Sequence, residues 1–241
     1  MIDHNAWLGR WPFRDLGSRG EVSFLLEAMD RLEIHRAWVS PLDAVFHRAP
    51  HAANKSLMSL TSVHSDRLDA VPVFHPGLAD GDEYLHRLVA HTDRPAAIRL
   101  VPALHAANDR FTERHVEALV ATGITVVLTL RVMDARARHP MLPIPELTTQ
   151  QVQWWLRKLC HAPVVLAGMT VTEVAALQTD ILESQAIVES SFLDGEESID
   201  AARDILGKHR VVPGSNAPMN FQESLVVKWR PGRLTPLVQP S

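Results

Sequence analysis

Apolar residues along this chain fall into two alternating rhythms. Short β-branched and apolar runs predict buried strands: RAWVS (36–40), AVPVFHP (70–76), AAIRLVP (96–102), ITVVLTLRV (124–132), PVVLAG (163–168), AIVES (186–190) and RVVPG (210–214). The opening segment, IDHNAWL (2–8), completes a set of eight. Between the strands, apolar residues recur three and four positions apart. The sets are Val22, Leu25, Leu26, Met29 and Leu32; Leu85, Leu88 and Val89; Val116, Leu119 and Val120; Val152, Trp155, Leu156 and Leu159; and Ile199, Ile205 and Leu206. Each draws one apolar stripe on a helix, and such a stripe needs a sheet to cover it. A last helix is expected over 220–229, followed by a Pro/Gly tail at 230–241.

Eight strands, each running into a helical segment, predict an α/β chain closed as a (β/α)8 TIM barrel. The expected barrel spans 2–229 within one domain, 1–241, and is shortened at its C-terminus. The rival is an open doubly wound sheet, but no Gly-rich phosphate turn follows the first strand. The longest interruption is the loop from Met133 to Thr148, and long loops in compact domains are often functional.

Composition narrows the partners. Apolar residues make up 46% of the 241 residues and charged ones 22%, enough for a sizeable core. The formal charge of −4, with both signs interspersed, gives no reason to expect a nucleic-acid or membrane partner. The single Cys160 cannot form an internal disulfide and fits a reducing compartment. Its setting in RKLCHAP reads as a core cysteine. With no secretory pattern and no spanning segment, the expectation is a cytoplasmic protein.

Sites in such barrels lie at the carboxyl ends of the strands. Strand periodicity puts Asn5 with Trp7 on one face and Thr129 with Arg131 on another. Arg99 lies in the fourth strand. An arginine in an apolar strand is costly unless its fork is paired. Arg99 and Arg131 therefore read either as structural ion pairs, with Asp134 or Glu189, or as a clamp for a ligand carboxylate or phosphate. His75 and His105, at the exits of strands three and four, are the candidate general acid and base. Asp134 would orient a histidine or pair with arginine. Asn5 and Asn216 could donate to a substrate oxygen or cross-link strand ends. Trp7 could wall a ligand or plug the pocket. His139 joins Asp134 and Arg136 on the long loop. His47 and His51 have ligand-like spacing, but Pro50 between them disfavours one continuous helix. No G-x-S-x-G elbow is present.

Several segments resemble a known family. AVFHRAPHAANKSL, RLVPALH, LRVMDARARHPMLPIPEL, ESSFLDG and VPGSNAP, together with the opening strand, resemble the amidohydrolase-related (amidohydrolase 2) TIM-barrel proteins from Ile2 to about Trp229. That resemblance implies a divalent metal held by two histidines on strand one, further histidines or a lysine on strands four to six, and an aspartate after strand eight. The ion would turn water into a nucleophile. The matching positions here are Asn5 and Trp7, Thr129 and Arg131, Gly168 and Met169, and Asn216. Amide and indole are poor or absent ligands, so no cofactor is expected. The resulting expectation is a metal-independent hydrolase or lyase for a small anionic carboxylate, lactone or amide. Arg99 and Arg131 would hold the anion, His75 or His105 would move a proton, and Asn5 and Asn216 would polarise an oxygen. Two alternatives stay open: a non-catalytic relative serving as a ligand-binding or partner subunit, and a metal enzyme with ligands relocated to His75, His105 or His139. The resemblance also makes a homo-oligomer plausible.

Overall fold

The computed structural model describes residues 1–90, 94–105, 112–137, 145–195 and 197–230. Eight strands alternate with helices: β1 (Ile2–Leu8), β2 (Arg36–Pro41), β3 (Leu68–Ala70), β4 (Ala97–Leu100), β5 (Thr125–Thr129), β6 (Val164–Ala167), β7 (Ile187–Glu189) and β8 (Val211–Val212). Regular ladders run in the order β1-β2-β3 and β4-β5-β6-β7-β8, and all the pairs are parallel. Two seams close them into one cylinder. At the β3/β4 seam, Ala96 N donates to Ala70 O, Phe74 N to Arg99 O and Arg99 N to Pro72 O. At the β8/β1 seam, His4 N donates to Pro213 O, Asn216 N to Asn5 O and Trp7 N to Ala217 O. The expected (β/α)8 barrel is borne out.

The strand limits differ from those expected at two places. The third strand was expected over 70–76, but its ladder covers Leu68–Ala70, with one further bridge at Val73. Pro72 has no N–H to give a ladder. The eighth is cut to two residues by Pro213.

The helices are α1 (Val22–Arg31), α2 (Asp43–Phe46), α3 (His51–Val63), α4 (Gly81–Ala90), α5 (Thr112–Ala121), α6 (Thr149–Lys158), α7 (Val171–Ala176), α8 (Gln178–Ser184), α9 (Ser198–Leu206) and α10 (Glu223–Trp229). The predicted stripes are their buried faces. Leu25, Met29 and Leu32 pack with the β1–β3 half of the barrel, and Leu119, Val152, Trp155 and Ile199 with the β4–β8 half. Each fully buried leucine or valine contributes about 1.5–3 kcal/mol.

Two helical regions carried no predicted stripe. The buried face of α3 is half polar, with Asn54 and Thr61 beside Leu57 and Met58. Between β6 and β7 the chain makes two short helices, α7 and α8, which break at Leu177. α2 ends at Phe46 with His47 as its C-cap, and Pro50 is the N-cap of α3, so His47 and His51 do not share a helix. Cys160, expected in the core, is exposed. It sits in the turn just past α6, where the stripe has already ended at Leu159. The tail at 231–241 lies outside the described residues. Among the described residues, no helix is long and apolar enough to cross a membrane.

Inside the cylinder, alternate residues point to the axis. Val71, Ala97, Val127, Val165 and Ala167 form one small apolar cluster there. Next to it, towards the carboxyl ends of the strands, comes a polar layer, and this contains the candidate site.

Candidate functional site at the barrel mouth

Arg99 is the centre of that layer. It follows Ala97 by two positions on β4, so its side chain enters the barrel, where it is 0% exposed. Nε donates to Ser40 Oγ at 2.7 Å, and Nη1 donates to Asn5 Oδ1 at 2.9 Å and Thr129 Oγ1 at 3.2 Å. One guanidinium thus ties β1, β2, β4 and β5 together. Its Cζ lies 4.0 Å from the centroid of the Trp7 ring, a close cation–π contact. Nη2 is buried without a hydrogen-bond partner among the described residues.

Two buried carboxylates surround this cation without touching it. Asp3 accepts from Asn5 N at 3.1 Å, Ser215 N at 3.0 Å, Ser215 Oγ at 2.6 Å and Gln222 Nε2 at 3.4 Å. The register of β1 shifts between Asp3 and Ala6, which makes room for the first of these bonds. Glu189 accepts from Gly168 N at 2.7 Å, Ser191 N at 2.8 Å and Ser191 Oγ at 2.7 Å. Gly214 packs so closely that a Cβ there would fall 1.9 Å from Glu189 Oε2. Burial pushes Arg99 down to about 9 against the pull of Glu189 and Asp3, so it stays charged at neutral pH. Burial raises Glu189, and its donors at Ser191 and Gly168 oppose the rise.

The face above the guanidinium is filled. Trp7 is 1% exposed, and its Nε1 donates to Asn216 Oδ1 at 2.9 Å. Asn216 Nδ2 donates to Val132 O at 2.9 Å. Asn216 has φ 57°, a left-handed conformation that asparagine tolerates better than most side chains. Trp11, Leu16, Leu42, Val101, Met133 and Met219 are all buried in one cluster with Trp7. They come from the carboxyl ends of β1, β2, β4, β5 and β8 and from the loops that follow. Trp7 also lines a cavity of about 150 Å³ with Arg19, Phe24 and Leu25.

The other candidates are placed elsewhere. Arg131 donates from Nε to Glu146 Oε2 at 2.9 Å, and from Nη1 to Gly168 O at 2.6 Å and Glu173 Oε2 at 2.8 Å. Its Nη2 pairs with Glu173 Oε1. Its carboxylate partners are therefore Glu146 and Glu173, not Asp134 or Glu189. Asp134 pairs with Arg136, whose Nη2 lies 2.5 Å from Asp134 Oδ2. His75 and His105 do meet: their rings stack at 4.5 Å and 11°. His75 Nδ1 accepts from Gly77 N at 3.0 Å, which leaves the proton on Nε2. His105 is 4% exposed, and neither ring nitrogen has a well-formed hydrogen bond. Burial, with a smaller push from His75 and an opposing pull from the Val45 carbonyl, lowers it to about 4. It is neutral at pH 7. His139 lies outside the described residues.

Sequence reasoning placed Ser191 with Glu189 near the end of the seventh strand, but it did not find Asp3, Ser40, Ser215, Glu146 or Glu173. Only Glu173 carried a usable signal: Thr170 and Glu173 form a capping box at the start of α7. Burial pushes the Glu173 carboxyl up, but hydrogen bonds from Arg131 and Thr170 together hold it below the ordinary range. Its contribution to stability is therefore present above the ordinary carboxylate pKa and is lost as pH falls through the lowered one. Glu173→Gln is expected to cost about 2 kcal/mol at pH 7, because it leaves the mostly buried Arg131 with one carboxylate fewer. The deficit should shrink towards pH 3 in urea unfolding, where the parent loses the same pairing by protonation.

The residues at the mouth do not fit a divalent ion. Asn5 Oδ1 is taken by Arg99, Asn216 Oδ1 is taken by Trp7, and a buried guanidinium would repel a cation placed beside them. Among the described residues, no group of three or more His, Cys, Asp or Glu side chains is arranged to hold a metal.

The sequence matches no protein-family model and no curated protein. Solved structures do share the fold. 5-Carboxyvanillate decarboxylase from Sphingomonas paucimobilis matches with a TM-score of 0.68 and 13% identity over 95% of this chain and 92% of that one. An amidohydrolase II matches with a TM-score of 0.62 and 14% identity over 90% and 87%. 5-Carboxyvanillate decarboxylase from Novosphingobium aromaticivorans matches with a TM-score of 0.62 and 15% identity over 89% and 74%. The (β/α)8 barrel expected from sequence is thus a fold this chain shares with these enzymes. The expectation that no cofactor is involved is corrected by the Novosphingobium enzyme. Both it and its D314N variant are complexes with manganese, so barrels of this fold do hold a metal ion.

Proposed function

We propose that this protein is a non-catalytic barrel of amidohydrolase type, a ligand-binding or partner subunit whose reaction centre has become core. The observation that carries this reading is the packing at the mouth: Arg99 lies against the Trp7 ring, and Trp7 is buried in one apolar cluster with Trp11, Leu42, Val101 and Met133. A small substrate needs a cleft that buries most of its surface, and here side chains fill that place. The hydrogen bonds of Asn5, Ser40, Thr129 and Asn216 run between strands and leave few polar groups to turn over a substrate. The single cysteine supports a cytoplasmic location.

One observation favours a second reading, a hydrolase or lyase for a small carboxylate. Among the described residues, Arg99 Nη2 is buried without a hydrogen bond, and the ring nitrogens of His105 are buried with no more than a poorly formed one to the Val45 carbonyl. A carboxylate reaching Arg99, with His105 or His75 moving a proton, would use those atoms.

An assay separates the two. Purified protein would be incubated with 5-carboxyvanillate, with and without added manganese, and release of carbon dioxide followed. The non-catalytic reading expects no release above the protein-free control in either condition. Release that scales with protein concentration overturns it in favour of the second.

A further inference from the structure

Beyond the barrel mouth, the molecule has an opening between two of its outer helices. A crevice of about 450 Å³ separates α3 from α4, within the range of small-molecule sites. We propose that it binds a carboxylate carried on an aromatic ring. This inference goes beyond the reading of the mouth and does not depend on it.

The sequence explains why the crevice exists. On α3 the lining residues His51, Asn54, Lys55, Met58, Ser59 and Ser62 recur three and four apart, so they form one face. Opposite them α4 presents Tyr84, Arg87 and Leu88. Ser59 and Ser62 are too small to reach across, which leaves the space open. Its floor is apolar, made by the buried Met58 and Leu88 and by the Tyr84 ring. The His51 ring lies against that of Tyr84 at 3.9 Å. A flat ring has a surface to pack on here.

The polar groups select an anion. Asn54 is locked by the backbone of Val73: its Oδ1 accepts from Val73 N at 2.9 Å, and its Nδ2 donates to Val73 O at 2.7 Å. That pair fixes which end of the amide is which. The remaining Nδ2 hydrogen goes to the Tyr84 hydroxyl at 2.6 Å. The Tyr84 oxygen is thus an acceptor within the protein, and its own proton is left to be given away. Tyr84 is 6% exposed, and among the described residues its hydroxyl forms one hydrogen bond, the one it accepts from Asn54. Lys55, exposed on the rim, has no carboxylate within ion-pair distance among the described residues. Arg87 stands on the far rim, held by Glu83 and Asp80. A buried donor beside a free ammonium is complementary to a carboxylate, whose oxygens only accept.

Calorimetric titration tests this with sodium 2-naphthoate and its neutral amide, 2-naphthamide. The acid is expected to bind one to one, about tenfold more tightly than the amide. Lys55→Ala is expected to weaken the acid about fivefold and leave the amide unchanged. Ser59→Trp, at an exposed position that leaves the core intact, fills the crevice and is expected to abolish both. Circular dichroism would check that each variant is folded. The proposal is overturned by any of three results: no saturable binding to about 10 mM, equal affinity for acid and amide, or undiminished binding by Ser59→Trp.

Discussion

Arg99→Met is expected to lower the stability of the folded protein by about 3–5 kcal/mol. Methionine replaces the aliphatic stem and keeps much of the packing against Trp7. It cannot replace the fork. Asn5 Oδ1, Ser40 Oγ and Thr129 Oγ1 would each lose a donor inside the buried polar layer. Asp3 and Glu189, both buried, would lose the one cation that offsets their charge, since no other basic side chain pairs with either among the described residues. For a domain of this size the loss corresponds to a fall in Tm of roughly 6–20 °C. Arg99→Lys separates charge from geometry. Lysine restores a positive charge but not three directed bonds to three strands, so about half of the stability should return. Urea unfolding of the three proteins at pH 7 measures this directly. A loss under about 1 kcal/mol for Arg99→Met would mean that the polar layer is held by its neutral hydrogen bonds alone, and that the guanidinium is incidental to the fold.

The barrel was legible because its signals are local. A strand buried on both faces reads as a short unbroken apolar run, and Val164–Ala167 is one. A helix lying on the sheet reads as a stripe, as in Val152, Trp155, Leu156 and Leu159. The pattern failed where burial is not apolar. The buried face of α3 contains Asn54 because the side chain bonds the backbone of Val73, and no hydropathy pattern marks such a residue. It failed too where Pro72 thins the third strand. At the site, strand alternation put Asn5 and Trp7 on one face of the first strand and Asn216 and Arg99 in strands of the same barrel, and the structure brings these four together. It also puts His75 and His105 side by side, because β3 and β4 are neighbours in the barrel. The partners of Arg131 were not legible. Glu146 and Glu173 come from the segment before α6 and the first turn of α7, and pairings between separate segments leave no periodic trace.

Trp7→Ala should test the closed mouth most directly. Removing a fully buried indole costs about 3–5 kcal/mol through lost burial and the cavity left behind. Asn216 Oδ1 would also lose its donor. The cavity would have a particular shape and chemistry: a flat space against the Arg99 guanidinium, within the apolar cluster that holds Leu42, Val101 and Met133, with one amide oxygen at its edge. Free indole matches it, with a ring for the cation and an N–H for Asn216. Added indole is therefore expected to raise the Tm of Trp7→Ala in a concentration-dependent way, by the linkage of binding to folding, and to leave the parent protein unchanged. Rescue would show that Trp7 occupies a ring-sized chamber at the top of the barrel. Its removal would then restore the opening that an aromatic substrate would need. A Trp7→Ala protein that loses less than about 1 kcal/mol would instead place the indole at a loosely packed rim. The barrel mouth would then be open to ligand in the unaltered chain, and the catalytic reading would take precedence over the non-catalytic one.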